Sequence, residues 1–144
     1  MPPQIHGCAA LVTGAAHGLG RVAAEWLASQ GCGVTIVDFD ERGEEVARAI
    51  QQANGKAIFV RVDVRSDEEQ TRAFRAHWEA FGRLDIALLN AGIGGEGDFA
   101  SPDTVPEHWH SVLDINLKAV ATGTHLAIQD MRRTALPSPR LLAW

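Results

Sequence analysis

The chain has 144 residues, 46% of them hydrophobic and 22% charged, with a net charge of −5 and a pI near 5.6. That suits one domain of ordinary soluble composition, and the acidic balance argues against a nucleic-acid-binding module, which usually carries a basic face. No apolar run nears the roughly 20 residues of a membrane span, and the opening MPPQIHGC lacks the basic-then-apolar layout of a signal peptide.

Along the chain, apolar runs of strand length alternate with stretches of helical period. CAALVT (8–13) ends in glycines and reads as a strand buried on both faces. GLGRVAAEWLASQ (18–30) places Val22, Trp26 and Leu27 on one helical face, and Gly31 supplies a stop. GVTIVD (33–38) is a second strand. Asp40 is placed to cap the next helix, which runs to about Ala53 before Asn54-Gly55 turns the chain. AIFVRVDV (57–64) is the third strand, and SDEE (66–69) has the spacing of a capping box opening a helix to about Phe81. LDIALLN (84–90) is the fourth strand, followed by the Gly-rich loop AGIGGEGDFASPD (91–103). TVPE (104–107) repeats the capping-box spacing and starts a helical region reaching about Arg133. Trp26, Phe74 and Trp78 are expected in the core.

Strand–helix alternation with nearly continuous apolar strands implies a parallel sheet covered on both faces. Right-handed crossovers then favour a Rossmann-like, doubly wound α/β fold of strand order 3-2-1-4. That is the first mononucleotide-binding half plus one strand of the second, so the fold is expected to be incomplete. The domain is expected over 1–133, with 134–144 as a divergent tail. The last five residues are the candidate for a short fifth strand; without one, the fourth strand is an unpaired edge.

The two cysteines, Cys8 and Cys32, each fall in an expected strand. They read as buried thiols of a reducing setting, which makes a cytoplasmic location the default. A disulfide between them is the lesser expectation. His108 and His110 lie close together, but no cysteine or third ligand stands nearby, so no metal site is expected.

The sharpest motif is TGAAHGLG, Thr13 to Gly20, between the first strand and its helix. Gly14 permits the tight turn, Gly18 lets backbone approach a pyrophosphate, and Gly20 allows close helix–sheet packing, with Leu19 between the last two. The helix N-terminus offers N–H groups and partial positive charge to phosphates. Asp38, at the end of the second strand, is placed to accept hydrogen bonds from an adenosine ribose 2′-OH and to repel a 2′-phosphate. That combination favours NAD over NADP. No arginine stands beside the glycines or directly after Asp38 to reverse the preference. His17 reads as a solvated loop residue. A P-loop is excluded, because Arg21-Val22 follows Gly20 where Lys-Ser/Thr would stand.

These residues resemble the short-chain dehydrogenase/reductase family. Its pattern Thr-Gly-x-x-x-Gly-x-Gly is matched by Thr13, Gly14, Gly18 and Gly20, and its acidic adenine contact after the third strand by Asp63-Val64. Its Asn-Ala-Gly appears as Asn90, Ala91 and Gly92, although the second Asn usual before this one is Leu89 here. The Asn of the following helix is matched by Asn116 in LDINLKAV; the resemblance implies that it shapes the active site and holds a water of the proton relay. The same resemblance implies oligomer contacts along that helix. Within the family, GRLDI…NAGI and HWHSVLDINLKAVATGTHLAI are similar to the NAD-dependent 15-hydroxyprostaglandin dehydrogenase type. A methyltransferase also pairs a Gly-rich loop with an acidic residue after the second strand, but NAG with the later INL speaks against it.

Hydride transfer between an alcohol or ketone and NAD also needs a group to exchange the hydroxyl proton. The resemblance implies a Tyr, assisted by a Lys four residues later, and a Ser that orients the substrate oxygen. This chain has no Tyr, its lysines are Lys56 and Lys118, and Ser138 is flanked by Pro137 and Pro139, which do not suit a central strand. The expectation is therefore a truncated, NAD-binding form that does not catalyse alone, with a small alcohol or ketone as the substrate of a full-length relative. The alternative is a non-catalytic NAD-binding or oligomer-forming protein that pairs with a full-length relative and modulates it.

Overall fold

The apolar runs become strands because neither of their faces meets water. All five residues of β1 (Ala9–Thr13) are buried, as are the first five of β2 (Gly33–Asp38). With β3 (Lys56–Arg61), β4 (Ile86–Leu89) and β5 (Arg140–Ala143) they form one parallel sheet of order β3-β2-β1-β4-β5. The expected 3-2-1-4 order is present, and β5 extends it by pairing Ile86 with Arg140 through Leu89 with Ala143. The fourth strand is therefore not the exposed edge that four strands alone would leave. This computed structural model describes residues 5–94, 106–134 and 140–143, with only the backbone of 106–108 and 140–143. Ser138, His108's side chain, the loop beyond Gly94 and the start of the second capping box at Thr104 lie outside the described residues.

Two hydrophobic layers flank the sheet. On one face, Ala24 and Leu27 of α1 (Gly18–Ser29) and Val46, Ala47 and Ile50 of α2 (Gly43–Gln52) pack on Ala10, Val12, Val34, Ile36 and Ile86. On the other, Ala73 and Phe74 of α3 (Asp67–Phe81) join Ala127 and Met131 of α5 (Ala119–Arg133) over Leu11, Val37 and Ala87. Alternate residues along each strand go to opposite layers, as strand geometry requires. Among the described residues, no helix is long and apolar enough to cross a membrane.

Trp26 is not a core residue. It is 57% exposed and Val22 is 62% exposed, while α1 turns Gly20, Ala24, Leu27 and Ala28 inward. Small side chains let this helix lie close to the sheet, and that close seat leaves no room beneath it for an indole. Of the expected aromatic stripe only Phe74 is buried; Trp78 is half-buried, with the Arg133 guanidinium 3.8 Å from its ring centroid. Nor does Asp40 cap α2 directly. Its carboxylate accepts from the Arg42 amide and guanidinium, closing the turn before the helix begins.

The capping box at Ser66 forms one of its two arms. Ser66 Oγ accepts from the Glu69 amide at 3.2 Å, but the Glu69 carboxylate turns to the Asp63 amide at 2.7 Å. The helix is thereby tied to the turn after β3. The expected long helix is in fact α4 (Pro106–Leu113), a π-helical turn over Asp114–Lys118, and α5. Such π turns are uncommon and often mark functional sites. This one contains Asn116.

Candidate functional site

The sequence-predicted residues gather at the carboxyl ends of β1, β2 and β4, where the winding of the sheet reverses. In open α/β sheets this is where ligands bind. A cleft of about 430 Å³ opens there, lined by Gly14, His17, Asp38, Asp63 and Ile115 among others.

Its floor is the turn from β1 to α1. Gly14 has φ +65°, and a Cβ added to it would come within 2.8 Å of the Ala91 Cα. A Cβ on Gly20 would overlap the Gly14 carbonyl oxygen. These two glycines let the turn fold tightly against the end of β4. Gly18 differs: φ is +57°, yet nothing lies within 4 Å of where its Cβ would be. The space above Gly18 is open to a ligand. Helix α1 starts just there, with His17 exposed in extended conformation at its N-cap, no side chain capping it and no acidic residue in its first turn. Its first N–H groups thus have no side-chain acceptor, and they carry the positive end of the helix dipole. Leu19 is 82% exposed beside them.

Thr13, Asn90 and Ala91 are brought together as a clasp. Asn90 Nδ2 donates to the Thr13 and Gly14 carbonyls at 3.1 and 3.3 Å, and the Ala91 amide donates to Thr13 Oγ1 at 3.0 Å. The Thr13 and Asn90 side chains bind protein rather than reaching freely into the cleft, so they shape the site, while Ala91 also lines it. Asp38 is half-buried in the cleft wall. One oxygen accepts from the Ala16 amide and the other from the Asp40 amide, each at 2.9 Å. A carboxylate oxygen has two lone pairs, so each retains one for a further donor.

Asp63 and Val64 also line the cleft, but both oxygens of Asp63 are engaged by Arg65, through Nε at 3.0 Å to each and Nη2 at 2.6 Å to one. The hydrogen-bonded guanidinium holds the Asp63 carboxyl below its ordinary pKa. An adenine amino group would compete with this pair. Val64 is fixed from behind: the buried Gln70 donates through Nε2 to the Val64 carbonyl at 2.7 Å and to the Ala119 carbonyl at 3.1 Å. Gln70 escaped the sequence reading, although a polar residue on the buried face of α3 was a usable signal. Arg65 escaped it too, and nothing in its spacing marked it.

Asn116 stands apart from the glycine turn and acts on the loop after β4. Its Oδ1 accepts from the Ile93 amide and its Nδ2 donates to the Ile93 carbonyl, both at 2.9 Å. This two-way amide pairing resolves the poor helical propensity of an interior Asn. Gly92 lies against the same side chain. Among the described residues, no group of three His, Cys, Asp or Glu could hold a metal ion.

A sequence profile described as short chain dehydrogenase matches residues 8–135. The chain belongs to the short-chain dehydrogenase family. It is 36% identical over 133 residues to human 15-hydroxyprostaglandin dehydrogenase [NAD(+)], a match covering 90% of this chain and 46% of the relative. It is 39% identical to cis-4-hydroxycyclohexanecarboxylate dehydrogenase of Sinomonas cyclohexanicum, over 85% of this chain and 49% of that one. A mutant of a Serratia marcescens short-chain dehydrogenase/reductase superposes with a TM-score of 0.83 at 27% identity, over 90% of this chain and 53% of the other. The chain therefore spans about half the length of the relatives it matches.

The residues present fit the dinucleotide that such a family implies. The open space at Gly18 and the uncapped start of α1 suit a pyrophosphate, and the Asp38 carboxylate suits a ribose diol.

Proposed function

We propose that residues 1–144 are the NAD-binding half of a short-chain dehydrogenase and do not catalyse turnover alone. The observation that carries this reading is the Asp38 carboxylate, anchored by two backbone amides beside the open Gly18 turn. An anion fixed there accepts from ribose hydroxyls and repels a 2′-phosphate, which favours NAD over NADP. The nearest cation in sequence, Arg42, is spoken for by Asp40. The NAD-dependent relative at 36% identity supports the same preference.

In this reading Gly18, Leu19 and Gly20 receive the pyrophosphate on the end of α1. Asp38 takes the ribose, and Asp63 with Val64 faces the adenine. Thr13, Gly14, Asn90, Ala91 and Gly92 form the wall that sets the cleft's depth. The bound NAD would supply the hydride acceptor for oxidation of an alcohol, or in reduced form the donor for a ketone. Asn116 holds the loop at Ile93 that borders the substrate side.

The proton-transfer groups are not evident in this stretch. It contains no Tyr, Lys56 starts β3 at the opposite end of the sheet, and Lys118 is exposed at the end of the π turn. Leu113, Leu117 and Ile128 are exposed on the helical run to which the resemblance assigns subunit contacts, consistent with a homo-oligomer.

The test uses purified residues 1–144 and the Asp38→Ala variant in fluorescence titrations with NAD and NADP. Loss of charge-assisted hydrogen bonds should weaken NAD by about tenfold or more, while NADP binding holds or improves. An unchanged NAD/NADP ratio would remove Asp38 from the reading. Production of NADH from secondary alcohols by the wild-type chain would overturn the claim of inactivity.

A further inference from the structure

Cys8 and Cys32 stand immediately before β1 and β2, which are parallel neighbours. Ala9 and Gly33 are register partners, and the Gly33 amide donates to the Cys8 carbonyl at 2.9 Å. One step back along both strands, the two cysteines face each other across the adjacent strands. Strand alternation puts Cys8 in phase with Ala10 and Val12, and Cys32 in phase with Val34 and Ile36. All of them pack in the layer beneath α1 and α2, so the two side chains leave the sheet on the same face. A further contact brings the pair together. Cys32 Sγ donates to the Ile5 carbonyl at 3.2 Å, and the Cys8 amide donates to that same oxygen at 3.1 Å. Neighbouring strands lie roughly 4.8 Å apart, inside the roughly 4.4–6.8 Å Cα separation that a disulfide spans.

The two thiols differ in access. Cys32 is buried at 1% exposure, and burial, with the neighbouring Cys8 sulfur, pushes its pKa up to about 11. Cys8 is half-buried and lines a second cavity of about 430 Å³ at the amino ends of the strands, away from the nucleotide cleft. Lys56 lines the same cavity and gives it a cationic group suited to a small molecule bearing a carboxylate, while Arg83, also in the lining, is held by two hydrogen bonds to Asp85.

We propose that Cys8 and Cys32 are a dithiol site that a low-molecular-weight disulfide converts to an intramolecular disulfide. Cys8, as thiolate, attacks one sulfur of the small disulfide; that S–S bond breaks and one thiol leaves with the electron pair and a proton. Cys32 then attacks the Cys8 sulfur, its proton passing to the departing thiolate, so that the mixed disulfide breaks and the second thiol is released. Two protein thiols are oxidised and one external disulfide is reduced to two thiols. The new bond ties the start of β1 to the start of β2 and encloses β1, the glycine turn and α1 in one covalent loop. This constrains the unfolded chain, so the melting temperature rises.

The experiment treats purified residues 1–144 with oxidised glutathione at mildly alkaline pH, followed by intact mass, peptide mapping and thermal melting. The expected product is a monomer lighter by two hydrogens, with a Cys8–Cys32 linked peptide, a melting temperature raised by several degrees and full reversal by dithiothreitol. Cys32→Ser should stop at a stable glutathionyl adduct on Cys8. A wild-type protein that keeps such an adduct while Cys32 stays alkylatable after unfolding would overturn the proposal, as would disulfide-linked dimers alone or no reaction. The wild-type result decides the matter even if the variant fails to fold.

Discussion

At the scale of single residues, the site separates positions that shape the cleft from positions that face it. Gly18 is the clearest of the second kind. Its positive φ makes any side chain cost roughly 1–2 kcal/mol of backbone strain, but its Cβ would meet nothing in the protein. Gly18→Ala should therefore leave a folded protein, lower its stability by about that amount in urea titration, and weaken NAD by tenfold or more because the methyl occupies the phosphate approach. Equal NAD affinity in a folded Gly18→Ala protein would place the phosphates elsewhere. The placement of the glycines and Asp38 at the cleft was legible in the sequence because it is local, set by one turn and one strand end. The dual duty of Asp38 toward Ala16 and Asp40 was not, since it depends on how two turns meet. For the same reason the sequence could not place Arg65 on the Asp63 carboxylate: the pair depends on side-chain conformation, not spacing.

At the scale of elements, periodicity identified the strands and helices but misjudged which face of α1 is buried. Val22, Trp26 and Leu27 share one arc of the helix, yet the sheet selects the narrow arc of Gly20, Ala24 and Ala28 beside Leu27. Trp26→Ser is accordingly expected to change stability by no more than about 0.5 kcal/mol. Phe74→Ala, in the opposite layer, should cost about 3 kcal/mol or more by chemical denaturation. A second tie between elements is polar and was not anticipated. His77 of α3 is fully buried, with Nδ1 2.7 Å from Thr35 Oγ1 on β2 and Nε2 2.9 Å from the Arg83 carbonyl. Burial lowers its pKa from 6.5 to about 4. Between those values the unfolded chain binds a proton that the folded chain refuses, so this residue's contribution is whole above pH 6.5 and is lost as pH falls toward 4. The loss is on the order of 3 kcal/mol. Unfolding free energies measured across that window should fall with pH, and His77→Gln should flatten the slope. An unchanged slope in that variant would assign the acid sensitivity to other groups.

At the scale of the whole molecule, the topology was legible because parallel strands buried on both faces leave a long apolar signature, and crossover handedness then limits the order. The fifth strand was harder to read. Arg140–Ala143 is short and follows two prolines, and its pairing with β4 depends on a neighbouring strand rather than on its own pattern. The resulting sheet carries the proposed nucleotide cleft at its carboxyl ends and a cavity lined in part by Cys8 at its amino ends. The first of these is proposed to hold NAD through residues 1–144 alone. Isothermal titration of NAD into purified, cooperatively melting residues 1–144, with NADP titrated in parallel, tests it most directly. Saturable binding of one NAD per chain, at least tenfold tighter than NADP, is the expected result; no saturable NAD binding to the folded protein, or NADP binding as tightly, would overturn the proposed NAD site.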